Sequence, residues 1–316
     1  MKKVLFSLRC DFPSGGCIKM RDYYNHVKHS PLHTPAVYLP PDNAANLAAD
    51  NPWYGERNEI EPQYRPEQAD VLFISGLGWD RFIPPEYRQN SPIPIIYLAQ
   101  SMFKAFDPPY RDQFAYKAIR ISVSPDLTEA ITRQKTIING PLFTIPSCVD
   151  RASFPQPLGE REKSTDILIL GIKQAELAAK LRASLAQSSS IKVINLSTRV
   201  AQRDFLAEIN RAKLVICLPA EQEGFYLPAL EAMALGALVI CPQVGGNRHY
   251  CQHQLNCLTP DYNFEAIVEQ AIHALTLPVE TKRQIIAAAR ATAGQHAIEQ
   301  ERQAFLDILH RVHAIW

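Results

Sequence analysis

No apolar stretch in this 316-residue sequence approaches the roughly 18 residues that a membrane-spanning helix needs. The opening MKKVLFSLRC has two lysines but only Val4–Leu8 before Arg9, too short an apolar core for an export signal. An excess of charge of one sign is missing too. Residues 1–150 hold 16 basic and 16 acidic side chains and the remainder 17 and 16, so the net charge is +1. Neither half is a basic module, and the charge balance gives no argument for nucleic acid. No Gly-x-Gly-x-x-Gly follows any strand-like run, which argues against a dinucleotide oxidoreductase. The seven cysteines make no closely paired Cys-x2–4-Cys units of the zinc-ribbon kind. An odd count without an export signal sets the expectation of reduced thiols. The expected location is a bacterial cytoplasm, with peripheral contact at the inner face of the membrane allowed.

What is present is a globular composition, 47% hydrophobic and 21% charged, in a chain long enough for two domains of about 150 residues. Short β-rich runs alternate with helical spacing throughout. KVLFSL, PAVYLP, ADVLFIS, IPIIYLA and IRISVS read as buried parallel strands of the first half. SCVDRASFPQPLGEREKST, residues 147–165, is polar, proline-bearing and aperiodic, and reads as the interdomain connection. DILILG, IKVINL, LVICLP and ALVICP resume the alternation, and three helical segments close the chain. The predicted fold is α/β: two Rossmann-like, doubly wound parallel-sheet domains facing a cleft, at 1–148 and 149–316. Ligands in such sheets bind at the carboxyl ends of strands.

The most informative stretch is EQEGFYLPALEAMALGALVI, residues 221–240. The strand LVICLP ends near Pro219, and AEQEGFY forms the loop after it. Pro228 suits the first turn of a helix, where its missing N–H costs nothing, and Gly236 suits its end. Backbone N–H groups of Gly224, Phe225, Tyr226 and Leu227 then lie at a helix N-terminus, where phosphate binds readily. Glu231, one turn in, is placed to accept hydrogen bonds from a ribose. Glu223, ahead of the glycine, points to whatever the phosphates carry. A nucleotide-linked sugar fits all three.

With CPQVGGNRHYC after it, this stretch resembles the E-x7-E region of retaining, family-four glycosyltransferases of the GT-B fold. The resemblance is dense over residues 223–251 and looser over 166–256. It implies a donor domain at 149–316 and an acceptor-side domain at 1–148, with the final helix able to cross back onto the latter. The implied reaction is transfer of a hexosyl group from a nucleotide-diphosphate sugar to a hydroxyl, with retention. A glycan, a lipid-linked molecule or a small molecule would be the acceptor. Glu223 would contact the donor sugar and Glu231 the ribose. Lys173 and Lys180 in LILGIKQAELAAK would neutralise the departing diphosphate without a metal or other cofactor. The backbone of Val200 would touch the base, and Gly15 and Gly16 after the first strand would lie near the donor phosphate. Many members carry a histidine in the first domain; here Gln100 is the nearest polar residue, with Trp79 and Asp80 as further acceptor-side candidates. The rival reading is a GT-B binding or partner subunit without turnover. His249, Cys251, His253 and Cys257 lack a metal-site spacing. His26, His29 and His33 read as surface residues.

Overall fold

A computed structural model describes residues 1–102, 107, 110–134, 137–187 and 191–316. The chain divides into two units, Met1–Ser147 with Glu299–Trp316, and Cys148–Ile298. Among the described residues no helix is long and apolar enough to cross a membrane.

The first unit is built on six parallel strands: β1 (Lys2–Ser7), β2 (His33–Tyr38), β3 (Val71–Ser75), β4 (Ile95–Ala99), β5 (Ile119–Ser122) and β6 (Leu142–Thr144). Their order is β2-β1-β3-β4-β5-β6. Val4, Phe6, Val71, Phe73, Ile95 and Ile119 are fully buried, as in a parallel sheet covered on both faces. The chain steps from β1 to β2 on one side and returns to β3 on the other. The β1/β3 carboxyl edge is therefore a topological switch point, where open α/β sheets bind ligands. The helix Gly15–Lys28 follows β1, and Ser14 caps it by accepting from the Cys17 N–H at 3.2 Å.

Three expectations change in this unit. His26 and His33 are buried, not superficial. His26 Nε2 lies 3.0 Å from Glu301, which also holds the buried Lys19 ammonium at 2.6 Å. Burial, helped by the neighbouring His310, pushes the His33 pKa down to about 4. Cys10 and Cys17 are joined as a disulfide, with Cα atoms 5.9 Å apart, so the expectation of reduced thiols fails for this pair. β6 was not foreseen. Pro141 O, just ahead of it, accepts from the Arg120 N–H, and the Arg120 side chain is itself fully buried in β5.

The second unit holds β7 (Thr165–Leu170), β8 (Val193–Leu196), β9 (Ala212–Cys217) and β10 (Leu238–Ile240), parallel in the order β10-β9-β7-β8. Residues 148–165 are no free connector. Asn210 accepts from the Leu158 N–H at 3.0 Å and donates to Gln156 O at 2.8 Å. Buried Lys163 donates to Asn210 O at 3.0 Å and Leu235 O at 3.3 Å. The ammonium thus donates to carbonyls at the carboxyl ends of two helices, where intrahelical donors run out. Burial lowers its pKa to about 8, with Arg290 adding to the effect.

Candidate donor site

The loop after β9 and the helix Leu227–Ala234 form the site in the second unit. Pro228 lies in the first helical turn, and Gly236 follows the helix at φ +68°, a conformation that favours glycine. A Cβ there would also lie 2.3 Å from the Arg290 guanidinium. Residues Ala229 through Leu235 are all buried, so the helix is a core element with no solvated face. A carboxylate inside such a helix needs a reason.

Glu231 is that carboxylate. It is 6% exposed, and burial raises its pKa to about 7, opposed only by Gln202. Gln202 Nε2 donates to Glu231 Oε1 at 2.8 Å. Burial likewise pushes the facing Cys217 thiol up, so it stays neutral. Gln202 opens the helix Gln202–Arg211 after β8, next to the loop that holds Val200. Sequence reasoning missed it, because the bond joins positions 29 residues apart.

Glu223 sits in the loop with its side chain largely covered. Its Oε1 accepts from the Lys173 ammonium in a close ion pair and from the Ala220 N–H at 3.3 Å. Lys173, following β7, also lies over the Tyr226 ring, 5.9 Å from its centroid. The second residue of the Gly-Gly pair explains the approach: a Cβ on Gly246 would lie 2.5 Å from Glu223 Cβ. Tyr226 N–H donates to Gly246 O at 2.9 Å, and Tyr250 Oη donates to Tyr226 O. The Tyr226 N–H is thus committed internally and drops out of the expected phosphate-binding set, which leaves Gly224, Phe225 and Leu227. The Phe225 ring stacks on Tyr250 at 5.2 Å, away from that role.

Lys180 is exposed on the helix Ala175–Leu185, and its ammonium makes no ion pair among the described residues. Lys173 is the cation that meets Glu223. His253 Nδ1 accepts from the Thr259 N–H at 2.9 Å, while Cys251 and Cys257 are buried.

In the first unit, Gly15 and Gly16 form the first turn of the helix after β1. Gln100 Nε2 donates to Ser75 Oγ at 3.1 Å and to Gly16 O at 3.5 Å. Trp79 is fully buried, its ring 5.2 Å from Tyr116. It therefore cannot meet an acceptor, and the reason is helix phase. In the short helix Gly78–Phe82, Trp79 faces the core and Arg81 faces out. Asp80 is exposed but accepts from Gln113 at 3.1 Å and pairs with Arg88 at 3.5 Å.

Residues 157–292 match the family described as glycosyl transferases group 1. No curated protein matches the chain. Among solved structures, Anabaena HepE in complex with UDP-glucose superposes with a TM-score of 0.75 at 13% identity, covering 98% of this chain and 100% of that one. Sucrose-phosphate synthase from Thermosynechococcus elongatus gives 0.73 at 14%, covering 99% and 100%. A glycosyltransferase from Rickettsia africae gives 0.67 at 14%, covering 98% of each. The fold is GT-B, and the unit that carries Glu223 and Glu231 bears the match to glycosyl transferases group 1.

Proposed function

We propose that this chain is a retaining glycosyltransferase that moves a hexosyl group from a nucleoside-diphosphate sugar to an acceptor hydroxyl. The observation that carries the reading is the meeting of Lys173 and Glu223 at the β7 and β9 edges, with Glu231 buried one turn into the adjoining helix. As the anomeric C–O bond to the diphosphate breaks, negative charge gathers on the phosphate oxygens and positive charge on the sugar. Lys173 answers the first and Glu223 the second, both held in place before reaction. Glu231 would accept from the ribose hydroxyls and Val200 would border the base. The N–H groups of Gly224, Phe225 and Leu227 would receive the diphosphate.

UDP-glucose is the first donor to test, because HepE is solved with it. Release of UDP on addition of an acceptor panel supports the reading, and the anomeric proton coupling of the first product reports retention. If no nucleotide sugar in a broad panel is consumed, the partner-subunit reading replaces it. The proposal gives the diphosphate's countercharge to Lys173, so turnover is expected to be unchanged by excess chelator. Loss of activity restored by magnesium or manganese would refute that part.

A pH dependence follows from Glu231. Its carboxyl titrates near 7 in the free chain, and the ionised form offers the most acceptor lone pairs to ribose hydroxyls. UDP affinity is therefore expected to fall as pH drops from 8 to 6, with proton release on binding near pH 7 seen by calorimetry in two buffers. The stability effect has the opposite sign. The folded pKa is above the ordinary carboxylate value of 4.5, so the native state holds more protons between about 4.5 and 7. That contribution is full at low pH and is lost as pH rises through 7. Gln202→Leu removes the one group that lowers the pKa, and should move the acid limb of binding to higher pH. A limb that stays put would dismiss Gln202 as a positioning residue.

A further inference from the structure

The first unit contains two adjoining cavities that neither Trp79, Asp80 nor Gln100 lines. One, of about 200 Å³, lies between Leu8–Arg9 after β1 and Ser75–Gly78 after β3. The other, open and of about 400 Å³, is lined by Tyr38, Pro40 and Tyr64. They share Arg9, Arg81 and Phe82. The first sits at the β1/β3 switch point set by the strand order, and the second has the size of an ordinary small-molecule site.

Their chemistry is specific. Tyr38, Tyr64 and Phe82 form an aromatic group, with centroids 5.2 Å apart for Tyr38–Tyr64 and 5.9 Å for Tyr64–Phe82. Tyr64 Oη donates to Phe82 O, which fixes the two rings' backbone relation. Aromatic faces of this kind bury the apolar side of a sugar ring. Arg9 is held from outside the lining by Asp42 at 2.7 Å and Asp11 at 2.9 Å. Arg81 is exposed and has no ion-pair partner among the described residues. Among the described residues, two guanidiniums and no carboxylate line the cavities. Guanidinium forks match the paired oxygens of phosphate and carboxylate.

We infer that this double cavity binds a sugar ring bearing an acidic substituent, the ring against Tyr38, Tyr64 and Phe82 and the acid group between Arg9 and Arg81. Naming this ligand the acceptor rests on the glycosyltransferase reading above; the binding itself does not. An acidic group on the ring gives a handle that neutral sugars lack, and Arg81 is the free half of it. Arg9, bonded through Nε, Nη1 and Nη2 to Asp11 and Asp42, keeps only its remaining N–H donors for a ligand and adds little net charge.

The test is direct binding by calorimetry or saturation-transfer NMR, on the whole chain, with glucose 6-phosphate, glucuronate, glucose and inorganic phosphate as probes. At least one acidic sugar should bind about ten-fold tighter than glucose, a difference readily resolved. That preference should vanish in Arg81→Ala and return in part in Arg81→Lys. Binding of the phosphate ester alone assigns a phosphorylated ligand, and binding of glucuronate alone a carboxylated one. Equal binding of glucose, equal binding of inorganic phosphate, undiminished binding by Arg81→Ala, or no binding by any probe would overturn the inference. Arg81 is exposed, so its loss should leave the melting temperature in place. UDP titrated into the same samples separates the two readings. If an acidic sugar binds but UDP does not, the donor site fails and this site stands; the reverse result leaves the donor site and removes this one.

Discussion

Glu223→Gln is expected to lower kcat by about 10²-fold or more while leaving donor KM within a few-fold, the pattern of an interaction that strengthens in the transition state. The substitution keeps the side chain's shape and its acceptance of the Ala220 N–H. What it removes is the charge that Lys173 meets. With a neutral amide there, positive charge developing on the sugar loses its partner, and the Lys173 ammonium is no longer held by an opposite charge. The Glu223 side chain is 11% exposed and the Lys173 side chain 49%, so water screens this pair in part. Glu231→Gln should behave differently, since ribose contacts exist before and during reaction: KM should rise and kcat should hold. Steady-state kinetics on the two variants, with circular dichroism confirming their fold, separates the roles. A Glu223→Gln enzyme with wild-type kcat would show that the carboxylate only shapes the loop.

The loop after β9 and the helix that follows it were legible because their logic is local. Glycine at 224, proline at 228, a carboxylate three residues later and glycine at 236 stand in an otherwise apolar run, and each has one geometric use. The structure adds what local spacing cannot carry. Gln202 reaches Glu231 from another strand–helix connection. Gly246 is required by the Cβ of Glu223, 23 positions earlier. The long apolar strands were also plain, whereas β6 is three residues between Pro141 and Pro146, too short for any periodicity to register. Trp79 and Arg81 differ by two positions, about 200° around a helix, and a five-residue helix offers too little pattern to choose the outward one. The cysteines misled for another reason. A count over the whole chain speaks to compartment, while the pairing of Cys10 with Cys17 is decided by the turn between β1 and its helix.

Residues 147–165 show a second limit on what a sequence reveals. Lys163 bonds to main-chain carbonyls, which every residue possesses, so nothing in the composition marks it as a cap. The same limit hid the group with the largest expected stability effect.

Arg120→Met is expected to destabilise the first unit by about 3–5 kcal/mol, the scale for removing one member of a buried charged network. The Arg120 guanidinium is fully buried and bonds to no carboxylate among the described residues. It donates instead to Asn139 O at 2.7 Å, Phe114 O at 2.9 Å, Ala118 O and Gln113 O at 3.1 Å, and Tyr116 O. Burial lowers its pKa to about 10, so it remains charged at neutral pH. Carbonyl dipoles from 113–118 and 139 carry the compensation that a counter-ion would otherwise give. One side chain thereby fastens two turns to the start of β5. Methionine fills similar volume, so the loss measures unsatisfied carbonyls more than a cavity. Arg120→Lys, with one donor head and three protons, should recover only part of the stability because it cannot span both sets of acceptors. The measurement is urea unfolding followed by tryptophan fluorescence, since Trp53 and Trp79 are both buried in this unit. A midpoint shift under 1 kcal/mol for Arg120→Met would mean that the carbonyls find other donors. UDP binding to the second unit should persist in urea concentrations that have already lost the first unit's fluorescence signal, if the two units unfold separately.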